Sequence, residues 1–247
     1  MAQYWYDFNE VENLDGFSNR SAAQDFELVE DGGGQALRVT TTTNTRSWAL
    51  WPTGVEASGS AQVRAYGRQG QHQNFRGAGV AVFIDPELGP GSSTTSMDFS
   101  LMARAGASET FVIDGSSVYS VNTVTATDYH FIELTRNGSA AEARWWAGDV
   151  GDRPASATSS ATSTTDTTEG PCGLYGYQNN GNTYFVKTLA IGTDGDPAPT
   201  GPVGGISVEP FALRHNPRTN KVIPVLSSPT VTDIGAACVR PRVTKGF

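Results

Sequence analysis

The sequence is poor in the residues that mark many chemistries. It holds two cysteines, three histidines and three methionines among 247 residues. Cys172 and Cys238 stand 66 positions apart with no further cysteine or histidine at metal-ligand spacing, which excludes a zinc knuckle and argues against a disulfide scaffold. Both read as small buried hydrophobic residues, with mutual pairing as the alternative. Charged residues make up only 17%, against about 25% in an average soluble domain. No apolar run is longer than the five residues from Val80 to Ile84, far short of the ~18 that cross a bilayer as a helix, so membrane insertion is not expected. The opening Met1-Ala2-Gln3-Tyr4-Trp5-Tyr6-Asp7 has neither the basic segment nor the apolar core of a secretory signal. The expectation is a chain that stays in the cytosol or leaves it by assembly or lysis. Lys and Arg number 17 against 25 Asp and Glu, giving a net charge of −8, so nucleic acid is not an expected partner.

Catalytic signatures are equally scarce. A retaining glycosidase built on strands presents a Glu-x-Asp-x-Glu run whose period of two puts both carboxylates on one face, and none occurs. The nearest approximations, Asp25 with Glu27 and Glu109 with Asp114, read as solvated edge charges. Gly-x-Ser-x-Gly, Walker A and Rossmann patterns are absent. His72, His130 and His215 are far apart, and His130 reads as a packed strand residue. No enzymatic activity is expected.

Glycine and period-two patterning are what the chain does have. Its 28 glycines are about 11% of the residues against a usual ~7%, and no window of helical length shows a convincing helical period. Strands are expected at 5–8, 26–29, 36–41, 47–51, 61–66, 79–84, 97–103, 110–113, 129–135, 141–146, 174–177 and 184–191, with at most one helical turn at 21–26. Asp31-Gly32-Gly33-Gly34 and Asn137-Gly138 supply turns, the latter as a two-residue hairpin loop. A dozen short strands at hairpin spacing imply an all-β sandwich or barrel. The Ser/Thr/Ala tract 155–169 reads as a surface loop or edge strand.

A Pro/Gly-rich stretch then breaks the pattern. The expected organisation is a β-sandwich over 1–197, a hinge at 198–205 and an extended basic arm over 206–247. Residues 210–247 hold Arg214, Arg218, Lys221, Arg240, Arg242 and Lys245 against Asp233 alone, a surplus of five positive charges. The rest, with 11 basic and 24 acidic residues, carries −13. Such an arm either folds back on its own acidic body or docks on a neighbouring subunit. Its strand-like pieces, 221–226 and 238–243, contain prolines and suit edge positions.

Three segments together carry a family resemblance. Asp7-Phe8-Asn9-Glu10 with Leu14-Asp15-Gly16-Phe17 is the first, and the hairpin Gly32 to Val39 is the second. The third is Tyr129 to Gly138 running into Ala143-Arg144-Trp145-Trp146-Ala147-Gly148. They resemble a concanavalin A-like jelly roll of the laminin G and lectin/glucanase group, and Gly173 to Tyr177 with Gly192 to Pro199 resembles the end of that module. The resemblance spans about residues 4–199 and implies fold far more than activity. Thr232-Asp233-Ile234-Gly235-Ala236 leading to Val239 to Phe247 is similar to a phage tail-associated terminus. This implies a non-enzymatic virion protein assembled in the host cytoplasm, displaying a lectin-like sandwich beside other virion proteins, as a homo-oligomer anchored by the arm. The alternatives are a capsid decoration protein or a carbohydrate-binding receptor-recognition module; a polysaccharide-degrading enzyme ranks last.

If a sugar is bound, exposed rings with nearby amides should do it, because sugar C–H faces pack on aromatic faces while hydroxyls need donors and acceptors. The candidates are Trp48, Trp51, Tyr175 and Tyr177 with Asn179 and Asn180; core packing of the rings is the competing reading. Trp145 and Trp146, being adjacent in a strand, must point to opposite faces. Folds of the resembled group often carry an oxygen-lined calcium site, and Asp194 and Asp196 flank a glycine turn. An Asp-Gly turn before proline explains them without a metal, so no cofactor is expected.

Overall fold

The computed structural model describes residues 2–20, 24–41, 48–70, 76–86, 97–103, 109–113, 116–121, 127–162, 168–177, 183–203, 212–216 and 221–225. In chain order the first strands are β1 (Ala2–Asp7), β2 (Phe17–Arg20), β3 (Gln24–Glu30), β4 (Gln35–Thr41), β5 (Trp48–Pro52), β6 (Glu56–Ser58) and β7 (Ser60–Gln69). Next come β8 (Arg76–Val82), β9 (Met97–Ala103), β10 (Glu109–Ile113), β11 (Ser116–Val121), β12 (His130–Asn137) and β13 (Ala140–Trp146). After a single 3-10 turn at Val150–Asp152 follow β14 (Ser159–Thr162), β15 (Glu169–Pro171), β16 (Gly173–Tyr177), β17 (Thr183–Thr193), β18 (Ala212–Asn216) and β19 (Lys221–Val225).

Two large antiparallel sheets result. One runs β14-β13-β12-β7-β17-β4-β3, with β1 as its eighth strand; the other runs β11-β10-β9-β8-β16-β5-β2. The long β17 explains the eighth strand: it pairs with β7 along one side, while β4 and β1 share the other side end to end. Its Val186–Thr188 bulge skips Lys187 and sits at that changeover.

Side chains at alternate positions of both sheets close on one another. Leu37, Val63, Val80, Leu134, Leu174 and Leu189 are fully buried in the shared core. Each such side chain contributes about 1.5–3 kcal/mol on leaving water, and this drives the two sheets together. Among the described residues no helix is long and apolar enough to cross a membrane.

The expected strands are all present, lengthened by a residue or more in most cases. Four departures have local causes. Residues 24–26 are strand, not helical turn, because Phe26 and Leu28 pack on the core while Asp25 and Glu27 are exposed, a period of two. The β12–β13 loop is Gly138–Ser139, one residue later than expected, with Asn137 paired to Ala140. Gly138 takes φ +58, the left-handed geometry required at the first centre of a type II′ turn. The Ser/Thr/Ala tract contains a true edge strand, β14, paired only to β13. Finally, the chain divides into Met1–Val203 and Gly204–Phe247, so that residues 198–203 of the expected hinge fall in the first unit. Within the second unit β18 and β19 form an antiparallel hairpin.

Candidate functional site

The aromatic candidates separate by strand face. β5 places Trp48 and Leu50 inward and Ala49 and Trp51 outward. Trp48 is 1% exposed and packs edge-on against Phe26 and beside Tyr184. It is therefore a core residue, not a sugar platform. Gly176 makes room for it: a Cβ there would lie 2.3 Å from the indole.

Trp51 and Tyr175 lie on the outer face of the seven-stranded sheet. They form a small apolar group with Ala49, Ala81 and Ile84. Register places Tyr175 between Ala49 and Gly79, and Gly173 beside Ala81. Trp51 is 8% exposed, paired to Ser18 and packed with Ile84, so of the two rings Tyr175 is the more accessible. At the rim, Arg20 donates through Nη1 to the carbonyl of Asp85. Tyr177 is paired in β16 opposite Gly77, and its side chain lies outside the described residues, as do Asn179 and Asn180.

The calcium candidates are engaged in a turn. Asp194 takes φ +55, and its Oδ1 accepts the Ser58 N–H at 2.7 Å. That hydrogen bond is the leading cause of its lowered carboxyl pKa. The Asp196 N–H closes the turn on Thr193 O at 3.1 Å. Among the described residues no group of three His, Cys, Asp or Glu side chains gathers to hold a metal. Cys172 is a free, buried thiol pushed up to about 12 by burial; Cys238 lies outside the described residues.

Of the arm candidates, Arg214 lies in β18 and Lys221 in β19. Arg218, Arg240, Arg242 and Lys245 lie outside the described residues, as does the 238–243 segment.

The outer face of the eight-stranded sheet holds a group that sequence reading missed. Register sets Arg64 of β7, Glu133 of β12 and Arg144 of β13 side by side. Glu133 is 0% exposed and Arg64 is 3% exposed. Arg64 donates to Glu133 Oε2 through Nε at 2.9 Å and Nη2 at 2.6 Å. Arg153, from the loop after β13, forks onto the same carboxylate, with Nη2 2.5 Å from Oε1. Arg144 stands 3.5 Å from Oε1 and also pairs with Glu142 at 2.8 Å. Burial alone would raise the Glu133 pKa, but the guanidiniums of Arg153 and Arg64 reverse this and hold it below the ordinary carboxylate range.

An aromatic row runs alongside. Trp146, Phe131 and Tyr66 are registered neighbours stacked at 5.0 and 4.4 Å, with Tyr129 5.0 Å beyond Tyr66. Trp146 and Trp145 do take opposite faces: Trp145 packs on the core cluster, while Trp146 stacks in this outer row. Tyr129 donates its hydroxyl to Asp31, which Arg68 grips through two nitrogens. Those bonds, led by that to Arg68, hold the Asp31 carboxyl below its usual range. His130 is buried on the inner side with its Nδ1 unsatisfied, and burial lowers its pKa.

No family model matches the chain, and no curated protein matches it in sequence. Solved structures do match in shape. A functionally unknown protein from Saccharomyces cerevisiae superposes with a TM-score of 0.51 at 14% identity, covering 76% of this chain and 99% of that one. A lectin from Bauhinia forficata in complex with GalNAc superposes with a TM-score of 0.50 at 8% identity, covering 77% and 97%. With its two packed antiparallel sheets, the chain has the concanavalin A-like lectin fold.

Proposed function

We propose that this chain is a non-enzymatic, tail-associated virion protein: its lectin-like body is displayed on the particle, and its basic C-terminal arm anchors it among other virion proteins and further copies of itself. The observation that carries this reading is a coincidence of boundaries. The fold divides at Val203 and Gly204, where the charge balance also changes sign. The first unit holds 11 basic and 23 acidic residues, the second six basic and two acidic. An oppositely charged arm beside an acidic body suits docking between copies.

A non-enzymatic reading fits the carboxylates. Glu27 is held by Arg38 at the surface, and Glu133 is engaged by Arg64 and Arg153, whose guanidiniums hold its carboxyl below the ordinary range. Mass spectrometry of purified particles should find the chain, and antibody-labelled electron microscopy should place it on the tail; label on the capsid alone would point to a decoration protein. A broad polysaccharide panel should show no release of reducing ends.

A second reading adds glycan recognition, favoured by the half-buried Tyr175 ring on the outer face beside Gly79, with Trp51 on the same face. The Bauhinia forficata lectin was solved with GalNAc, which makes GalNAc-bearing glycans the first probes on an array. Binding should fall at least about tenfold in Trp51→Ala and Tyr175→Ala, as losing a stacked ring from a sugar requires. Unchanged binding in both variants rejects this site.

A further inference from the structure

The chain at the junction of the expected sandwich and hinge, residues 196–199, is fastened to the body at four points. After the turn at Asp194–Gly195, residues 196–200 cross the outer face of the eight-stranded sheet. Gln3, Gly192 and Gln62 are registered neighbours on β1, β17 and β7, and the segment touches all three. Gln3 Nε2 donates to Pro197 O at 2.8 Å. The Ala198 N–H donates to Gln62 Oε1 at 2.8 Å. One row further on, Arg64 Nη1 donates to Pro199 O at 3.1 Å. Ala198 is only 3% exposed as a result.

Gly192 is the fourth point. A Cβ on it would stand 2.2 Å from Asp196 O and 2.5 Å from the Pro197 carbonyl carbon. Its φ is not among the left-handed ones, so glycine is required here for close approach and not for backbone conformation.

The Glu133 cluster holds two of these fasteners in position. Glu133 takes Nε and Nη2 of Arg64, which leaves Nη1 aimed at Pro199. Gln62 spends its amide nitrogen on Thr135 Oγ1 at 2.8 Å and Glu133 Oε1 at 3.3 Å, which leaves its oxygen for Ala198. Ala198 and Pro199 are buried, yet neither belongs to the core cluster, so the segment is held by these polar bonds and by fit over Gly192 apart from the packing that holds the sandwich. Attachments of different origin and strength open separately.

We propose that residues 196–199 form a latched strap, held by Gln3, Gln62, Arg64 and the gap at Gly192, which opens as a unit separate from the sandwich and so sets whether the chain leading to the arm is fixed or free. Opening would add the four fastened residues, 196–199, to the tether, up to about 14 Å of reach. That consequence for the arm rests on the anchoring role proposed above; the opening itself does not.

The test is hydrogen exchange on the full-length protein and two variants. Gly192→Ala adds a methyl whose three nearest neighbours are all strap backbone atoms, and Gln62→Ala removes the acceptor of the Ala198 amide. The Ala198 amide should exchange at least about tenfold faster in Gly192→Ala while the amides of Val63 and Ile191 keep their wild-type rates. If Gly192→Ala fails to fold, the same comparison is read in Gln62→Ala. An Ala198 rate equal to wild type, or parallel acceleration at Val63 and Ile191, would overturn the proposal. Particle incorporation plays no part in this readout, so failure of the anchoring role leaves it intact.

Discussion

Replacing Glu133 by Gln should be among the most damaging single-atom changes available to the body. The substitution keeps the shape but removes the negative charge shared by Arg64, Arg144 and Arg153. Arg153, 29% exposed as a side chain, can turn to water; Arg64 at 3% and Arg144 at 9% cannot. Breaking a buried pair by removing one partner costs about 3–5 kcal/mol, and the remaining Gln oxygen keeps this case near about 3. For a body of this size each kcal/mol moves the Tm by about 2–4 °C, so a fall of about 6–12 °C is expected at pH 7 by circular dichroism. The matched control is Glu142→Gln, whose half-exposed ion pair with Arg144 should count for less than about 0.5 kcal/mol. The sign with pH follows from the lowered pKa. Glu133 contributes its full stability above the ordinary glutamate value of 4.5 and loses it as the pH falls through the lower folded value, so the two Tm curves should converge in acid. A Tm for Glu133→Gln within about 2 °C of wild type at pH 7, on the scale just used, would refute the reasoning.

Gly176→Ala should destabilise by about 1–3 kcal/mol, measured by urea titration, because the new methyl would meet the Trp48 indole, which is itself fixed in the core. Cys172 should resist alkylation at pH 8 in the folded protein and react once urea unfolds it, as peptide mass spectrometry would show, since its thiol is buried and pushed up to about 12. Modification of native Cys172 would contradict its placement.

Period-two patterning located the longer strands, because alternation within one strand is a local property, but it missed β2, β6, β11, β15 and β18, most of them too short or too polar to show it. Pairing across strands is not local. Glu133 stood in the open sequence of an expected strand, but nothing short of the β7-β12-β13 register reveals that two arginines flank it and a third covers it. The period-two sets Gln62-Arg64-Tyr66-Arg68 and Phe131-Glu133-Thr135 were the available signal, showing a face too polar for a core and too aromatic for plain solvent. Trp48 and Trp51 show the same limit at closer range. Their spacing of three puts them on opposite faces of β5, yet which face is core depends on the sheet stacked against it. Residues 198–205 read as a hinge from Pro and Gly content, while the attachment of Ala198 and Pro199 within them depends on Gln62 and Arg64, about 135 residues earlier.

The proposed anchoring by the arm is open to a particle-incorporation measurement. Particles should be assembled with either the full chain or residues 1–203, and the incorporated copies counted by quantitative mass spectrometry. The truncated body keeps the whole sandwich core and should melt with a wild-type transition in isolation, yet be missing from purified particles. Incorporation of the truncated body at the level of the full chain would contradict the central claim.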